Sequence, residues 1–174
     1  MVTQLKEAFL HGDLIQLVPT NEEDLDFVKM AEQAPENAQF VGDWPREQHR
    51  AALSDPDILH FTVFNTSHKR AGYVILTGVS GSDHNINLRR LVVTQKGTGY
   101  GTEVLHLVKR FCFEVLDAHR LWLDVVDDNT KAQHIYKKAG FVREGVMREC
   151  MRYPDKYKSL IIMSILSQEY DLVK

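Results

Sequence analysis

Apolar residues recur along this chain with two different periods, and the switches between them mark its elements. Val104, Leu105, Val108, Phe111, Cys112, Val115 and Leu116 fall at i, i+1, i+4, i+7, i+8, i+11 and i+12. This is one apolar stripe on a helix of 3.6 residues per turn, with Glu103, His106, Lys109, Arg110 and Glu114 on the opposite, polar face. Thr20-Asn21-Glu22-Glu23 supplies a capping residue and acids that suit the positive end of a helix dipole. Leu25, Phe27, Val28 and Ala31 then predict a helix to about residue 33. Pro45 is placed to open another, ending near residue 53, and Pro35, Gly42 and Pro45 punctuate 34–45 as a loop. Asp128 or Asn129 caps a further helix with Ala132, Ile135, Tyr136 and Ala139 on its apolar face and Gly140 just past its end.

Strand-like runs lie at 14–18, 59–64, 71–79, 86–93, 121–126, 141–151 and 157–166. The second and third form a hairpin through 65–70, and the last two close around Pro154-Asp155. The run 86–93 alternates at first and becomes continuously apolar at Leu91-Val92-Val93, which predicts burial on both faces. A strand that leads through a loop and a helix to a neighbouring strand makes a parallel crossover; the other strands pair antiparallel. The expected fold is therefore α/β, with a mixed, mostly antiparallel sheet. No Pro/Gly/Ser-rich linker divides the 174 residues, so residues 1–174 read as a single domain.

The chemistry concentrates at the crossover, in Gln95-Lys96-Gly97-Thr98-Gly99-Tyr100-Gly101-Thr102. Glycines at alternate positions let the backbone turn tightly and approach a ligand with no Cβ in the way. The mouth of the following helix carries unpaired N–H groups and about half a positive charge, which suits a phosphate. A dinucleotide fingerprint counted from Gly97 would need its third glycine at Thr102, and no Gly-Lys-Ser/Thr ending of a nucleotide-triphosphate loop is present.

Composition narrows the rest. An apolar share of 44% and a charged share of 26% are those of a soluble globular protein. No apolar run nears the ~20 residues of a membrane span, and the N-terminus does not read as a signal peptide, so the expectation is a cytoplasmic protein without a membrane partner. Cys112 and Cys150 are isolated, Cys112 on the apolar stripe, and the eight histidines form no ligand motif; no metal is expected. A net charge of −3 argues against a nucleic-acid partner and suits a cationic substrate.

The glycine loop resembles the pyrophosphate loop of the GCN5-related N-acetyltransferases (GNAT), Gln/Arg-x-x-Gly-x-Gly/Ala, with Lys96 in the first place and Gly99 and Gly101 as the two small residues. Asn129-Thr130-Lys131-Ala132 and Tyr136-Lys137-Lys138-Ala139-Gly140-Phe141 resemble that family's second motif in order and spacing. The closing pair, with Arg148-Glu149, Tyr157 and Ile161 to Leu166, is similar to the branch containing ribosomal-protein N-terminal and spermidine acetyltransferases. The resemblance covers roughly the second half of the chain.

It implies a sheet whose fourth and fifth strands splay to admit the pantetheine arm of acetyl-CoA, the arm pairing with backbone of Leu91, Val92 and Val93. It implies a cofactor set of Lys96, Gly97, Thr98, Gly99, Tyr100, Gly101, Thr102 and Asn129. The reaction implied is direct attack of a primary amine (a peptide N-terminus, a polyamine or a small amine) on the thioester in a ternary complex. Tyr136 then stands beside the departing sulfur as a proton donor; read from periodicity alone it fills its helix's apolar face. Asn129 serves the pantetheine or merely caps its helix, and Lys96 adds charge at the diphosphate or is a solvated loop lysine. The general base is not legible: Asn87 and Arg89 occupy the strand positions where an acid is sought, and Asp43, Glu47, His49, Asp83 and His84 qualify only by proximity to acceptor loops. Phe40, Trp44 and Tyr73 line an acceptor tunnel or belong to the core. Two departures stand out: the link Thr94-Gln95 is short, and Lys158-Ser159 replaces an acidic pair. An acyl-CoA-sensing module without turnover is the alternative, and a homodimer is allowed by the sheet edges.

Overall fold

The computed structural model describes residues 7–171. Eight strands form one sheet: β1 (Leu10–His11), β2 (Ile15–Pro19), β3 (Ile58–Asn65), β4 (Arg70–Thr77), β5 (Asn85–Val93), β6 (Arg120–Val126), β7 (Val142–Arg152) and β8 (Tyr157–Leu166). Their order is β1-β2-β3-β4-β5-β6-β8-β7, and β5 with β6 is the parallel pair. The short β1 escapes sequence detection because two residues carry no period, and it moves the splayed pair from fourth and fifth to fifth and sixth.

Helices cover both faces. On one lie α4 (Tyr100–Glu114) and α5 (Thr130–Lys138), whose Val104, Leu105, Val108, Phe111 and Ala132, Ile135, Tyr136 meet Leu88, Leu121, Leu123 and Ile165 of the sheet. On the other, α1 (Leu25–Gln33) sets Val28 and Ala31 against Tyr73, Ile75 and Val92, with α3 (Arg46–Ser54) packed beside it. The alternating partners explain the continuous apolar run in β5, since Leu91 faces one layer and Val92 the other.

The capping signal at Asn21 is realised as a capping box: Asn21 Oδ1 accepts from the Glu23 amide at 2.9 Å and Asp24 Oδ2 from the Asn21 amide at 3.0 Å. A 3₁₀ turn, Glu22–Asp24, precedes α1. The segment expected as loop contains a one-turn helix, α2 (Pro35–Ala38), with Pro35 at its first position. One turn shows no periodicity, and a proline at N1 starts a helix rather than breaking it. A final turn, α6 (Ser167–Asp171), stacks Tyr170 on Phe113 at 4.8 Å.

Candidate active site

Strands β5 and β6 run paired only from Asn85 to Asn87 against Arg120 to Trp122. Asn87 Nδ2 donates to the Trp122 carbonyl at 3.2 Å and closes the fork at that rung. Beyond it the β6-facing edge of β5 has no strand partner, while the β4-facing edge stays paired to Val93. The β4 register jumps so that Ile75 meets Arg90 and Leu76 meets Leu88, which makes Arg89 the extra residue of a bulge, with its side chain exposed.

A cavity of about 600 Å³ opens at the wide end of this fork, beyond the carboxyl ends of the parallel strands. Leu91, Val93, Leu105, Ala132, Ile135 and Tyr136 supply its apolar wall, and residues 97–102 its polar end. Phe40, Val41, Asn129 and Lys131 also line it, as do Lys96 and the carboxylates Glu36 and Asp128. Gly97 (φ 80°) and Gly99 (φ 86°) sit in the left-handed region that favours glycine, and Gly99 caps α4 without any side-chain hydrogen bond. Thr98 Oγ1 donates back to the Gln95 carbonyl at 2.9 Å and fixes the turn. Among the described residues, the N–H groups of Tyr100, Gly101 and Thr102 find no protein acceptor, so the first turn of a fifteen-residue helix points its free donors into the cavity.

Gly101 is informative because the protein gives it no reason to be glycine. Its φ is not positive, and a Cβ built on it meets nothing within 4 Å. The space beside it is open to the cavity.

Other residues singled out from sequence are held differently. Lys96 lines the same cavity while its Nζ donates to Asn37 Oδ1 of α2 at 2.8 Å, and partial burial lowers its pKa. Lys131, in the first turn of α5, brings a cation to the cavity that motif spacing did not flag. Asn129 caps α5, its Oδ1 accepting from the Ala132 amide at 3.2 Å, while its side chain also lines the cavity. Tyr136 is partly buried, edge-on to Phe141 at 6.0 Å, and its hydroxyl is pushed up to about 12 by burial and by the charge of Asp124. It is protonated throughout the physiological range. Glu103, expected on a solvated face, instead accepts from the amides of Asp13, Leu14 and Ile15, each at 2.8 Å, and pins the β1–β2 turn to the start of α4.

None of the five acids and histidines named as bases by proximity lines this cavity. Asp43 pairs with Lys29 and Glu47 with Arg50, both at the surface. His49 is buried behind Val92 in a polar cluster with Glu32, Tyr73, His60 and Arg90. There Glu32 accepts from Tyr73 Oη at 2.8 Å and from Arg90, whose guanidinium lies 4.6 Å over the Trp44 ring. Burial pushes the Glu32 carboxyl up, but His49, Arg90 and Tyr73 outweigh it and hold it below the usual range. His49 Nε2 lies 3.1 Å from Glu32 Oε1, and His49 Nδ1 lies 3.1 Å from His60 Nε2. Asp83 and His84 lie on a separate hollow of about 740 Å³ at the opposite end of β5. Of the aromatic candidates, Phe40 reaches the cavity, Trp44 sits under Arg90, and Tyr73 is fully buried.

A parallel pair that splays over a glycine-capped helix defines an acyl-CoA N-acyltransferase architecture, and residues 15–142 match the family described as Acetyltransferase (GNAT) domain; the chain belongs to that family. It is an acetyl-CoA-dependent N-acetyltransferase. It is similar to spermidine N(1)-acetyltransferase of Escherichia coli K12, 27% identical over 166 residues that cover 90% of this chain and 88% of the relative. The crystal structure of spermidine N-acetyltransferase from Vibrio cholerae in complex with CoA and spermine superposes with a TM-score of 0.83 at 20% identity, covering 91% of this chain and 99% of that one. A GCN5-related N-acetyltransferase from Brucella melitensis gives 0.78 at 21%, covering 95% and 81%. At these identities the two structures share the fold. Among the described residues no helix is long and apolar enough to cross a membrane.

Proposed function

We propose that the donors of residues 97–102 hold the diphosphate of acetyl-CoA, that its pantetheine arm pairs with the free edge of β5 along Leu91, Val92 and Val93, and that Tyr136 protonates the departing thiolate. The observation that carries this reading is the triad of unpartnered amides beside Gly101, a glycine that neither backbone conformation nor protein contacts require. Anchoring the diphosphate sets the depth at which the arm enters the fork, and strand-like pairing sets its line. Most of the rate then comes from holding amine and thioester together, which can remove about 7 kcal/mol or more of barrier without a covalent intermediate. Cys112 is buried and its thiol pushed well up by burial, so it offers no nucleophile.

The acceptor we assign is a primary amine of the polyamine class. Its support is the name of the relatives and a net charge of −3. Release of CoA thiol measured with spermidine, spermine, a monoamine and a peptide bearing a free N-terminus tests it. Polyamines should give the highest kcat/KM; preference for the peptide would replace the acceptor and leave the CoA site intact.

A further inference from the structure

The β6 arm of the fork carries a carboxylate that sequence reading passed over, on the face of the sheet away from the residues that line the cavity's apolar wall. Asp124 stands on β6 two residues beyond the closing rung at Trp122, where β5 has already turned away. Its neighbours Leu123 and Val125 point into the core beneath α4 and α5, so Asp124 lies on the opposite face, alongside Trp122 and its partner across β8, Ile162. Six carboxylates among the described residues are at least partly buried. Five are engaged: Asp24 by Arg70, Glu32 by Arg90 and Tyr73, Asp57 by Gly78 and Ser80, Glu103 by three amides and Glu169 by the Leu166 amide. Asp124 is the sixth, and it takes no hydrogen bond or ion pair from another residue.

We infer that Asp124 is the catalytic residue that receives the acceptor's ammonium group in the fork and removes its proton before attack. This rests on the acetyl-transfer reading above and supplies the base that reading lacks.

The layout suits an exchange of amine for thiol. Tyr136 reaches the fork from α5 on one face of the sheet, and Asp124 from the other. The nitrogen must lose protons while the sulfur gains one, so acceptor and donor of protons belong on opposite sides of the reacting carbon. Asp124 takes one proton from the ammonium; the freed lone pair forms the N–C bond; the C–S bond breaks with its pair on sulfur, which takes the Tyr136 proton. The second proton on nitrogen restores Tyr136, and Asp124 discharges to solvent. Ammonium and thioester thus become amide, thiol and one released proton.

The surroundings favour this use. Burial raises the Asp124 carboxyl, and the bulged Arg89 on β5 offsets that only in part. Tyr136 is the titratable group facing it from α5; Arg120 on its own strand is occupied by Glu144 of β7, and Ile162 is its partner on β8. A base with a raised pKa captures a proton more readily than a surface aspartate.

The test is the pH dependence of kcat/KM for wild type, Asp124→Asn and Asp124→Glu with acetyl-CoA and spermidine, beside CoA affinity and melting temperature. The base must be ionised, so wild-type kcat/KM falls as pH drops through the carboxyl's pKa. Asp124→Asn should lose ~10²-fold or more in kcat/KM and this acid limb with it, at unchanged CoA affinity. Asp124→Glu should keep the limb at a displaced pH, and it decides the matter alone if the asparagine variant does not fold. Activity within threefold of wild type with the limb in place overturns the assignment. If the wild type binds CoA but acetylates no amine, the functional reading fails separately. Calorimetric binding of spermidine to the protein–CoA complex then decides Asp124, tenfold weaker binding in Asp124→Asn supporting it and equal binding overturning it.

Discussion

Replacing Gly101 should separate stability from ligand binding. In Gly101→Ala and Gly101→Val the new Cβ meets no protein atom within 4 Å, and the backbone there is already helical. Exchanging glycine for alanine in a helix gains up to about 1 kcal/mol, which for a domain of this length raises the melting temperature by roughly 2–4 °C. The same atom fills the space beside three free amides. CoA at 100 times its Kd should stabilise the wild type by about 2.7 kcal/mol, or roughly 5–11 °C. A tenfold loss of affinity in the variant cuts that to about 1.4 kcal/mol at the same concentration. Gly99→Ala is the control, because φ of 86° makes any side chain there strained by about 1–2 kcal/mol; it should lose stability as well as binding. Thermal melts with and without CoA read both quantities. A Gly101→Val protein that binds CoA as tightly as wild type would refute the reasoning, since the cradle would then not be where the diphosphate sits.

Tyr136→Phe should lower kcat by ~10²-fold with KM for acetyl-CoA nearly unchanged; steady-state kinetics showing an unaltered kcat in the folded variant would remove the hydroxyl from the mechanism. His60 is buried and its pKa falls from 6.5 to about 3 through burial, with the charges of His49 and Arg90 adding to it. A lowered folded pKa means stability is whole above pH 6.5 and is lost as pH falls toward 3, with a slope near 1.4 kcal/mol per pH unit from this ring alone. Denaturant melts across that range should show the slope in wild type and a flatter one in His60→Gln. Glu32→Gln leaves Arg90 buried without its counter-charge and should cost roughly 3–5 kcal/mol, while a loss under 1 kcal/mol in chemical denaturation would show that Arg90 finds water instead.

Legibility followed the length over which a pattern can repeat. The stripe from Val104 to Leu116 spans several turns, so α4 and its glycine cap were readable. The alternation of Leu91 and Val92 between two layers was readable as continuous apolarity. Neither β1 nor α2 is long enough to show a period. Glu103 was misplaced because a helical wheel knows only its own helix, and the three amides that engage it arrive from a turn some ninety residues earlier. Lys96 sits where the motif puts it, but its ammonium is claimed by Asn37 in a segment taken for loop. Asp124 had a signal available: Arg120, Trp122 and Asp124 alternate with Leu121, Leu123 and Val125. That is period two, a strand with one polar face, and reading the run only as a strand concealed it.

The claim beneath all of this is that free backbone donors at the entrance of α4 grip the diphosphate of CoA. Amide ¹H–¹⁵N spectra recorded during titration with CoA test it residue by residue. The account predicts that the largest shifts fall on Gly97, Gly99, Tyr100, Gly101 and Thr102. Shifts that instead gather around Asp83, His84 and Asp117, with the glycine loop unmoved, would contradict it.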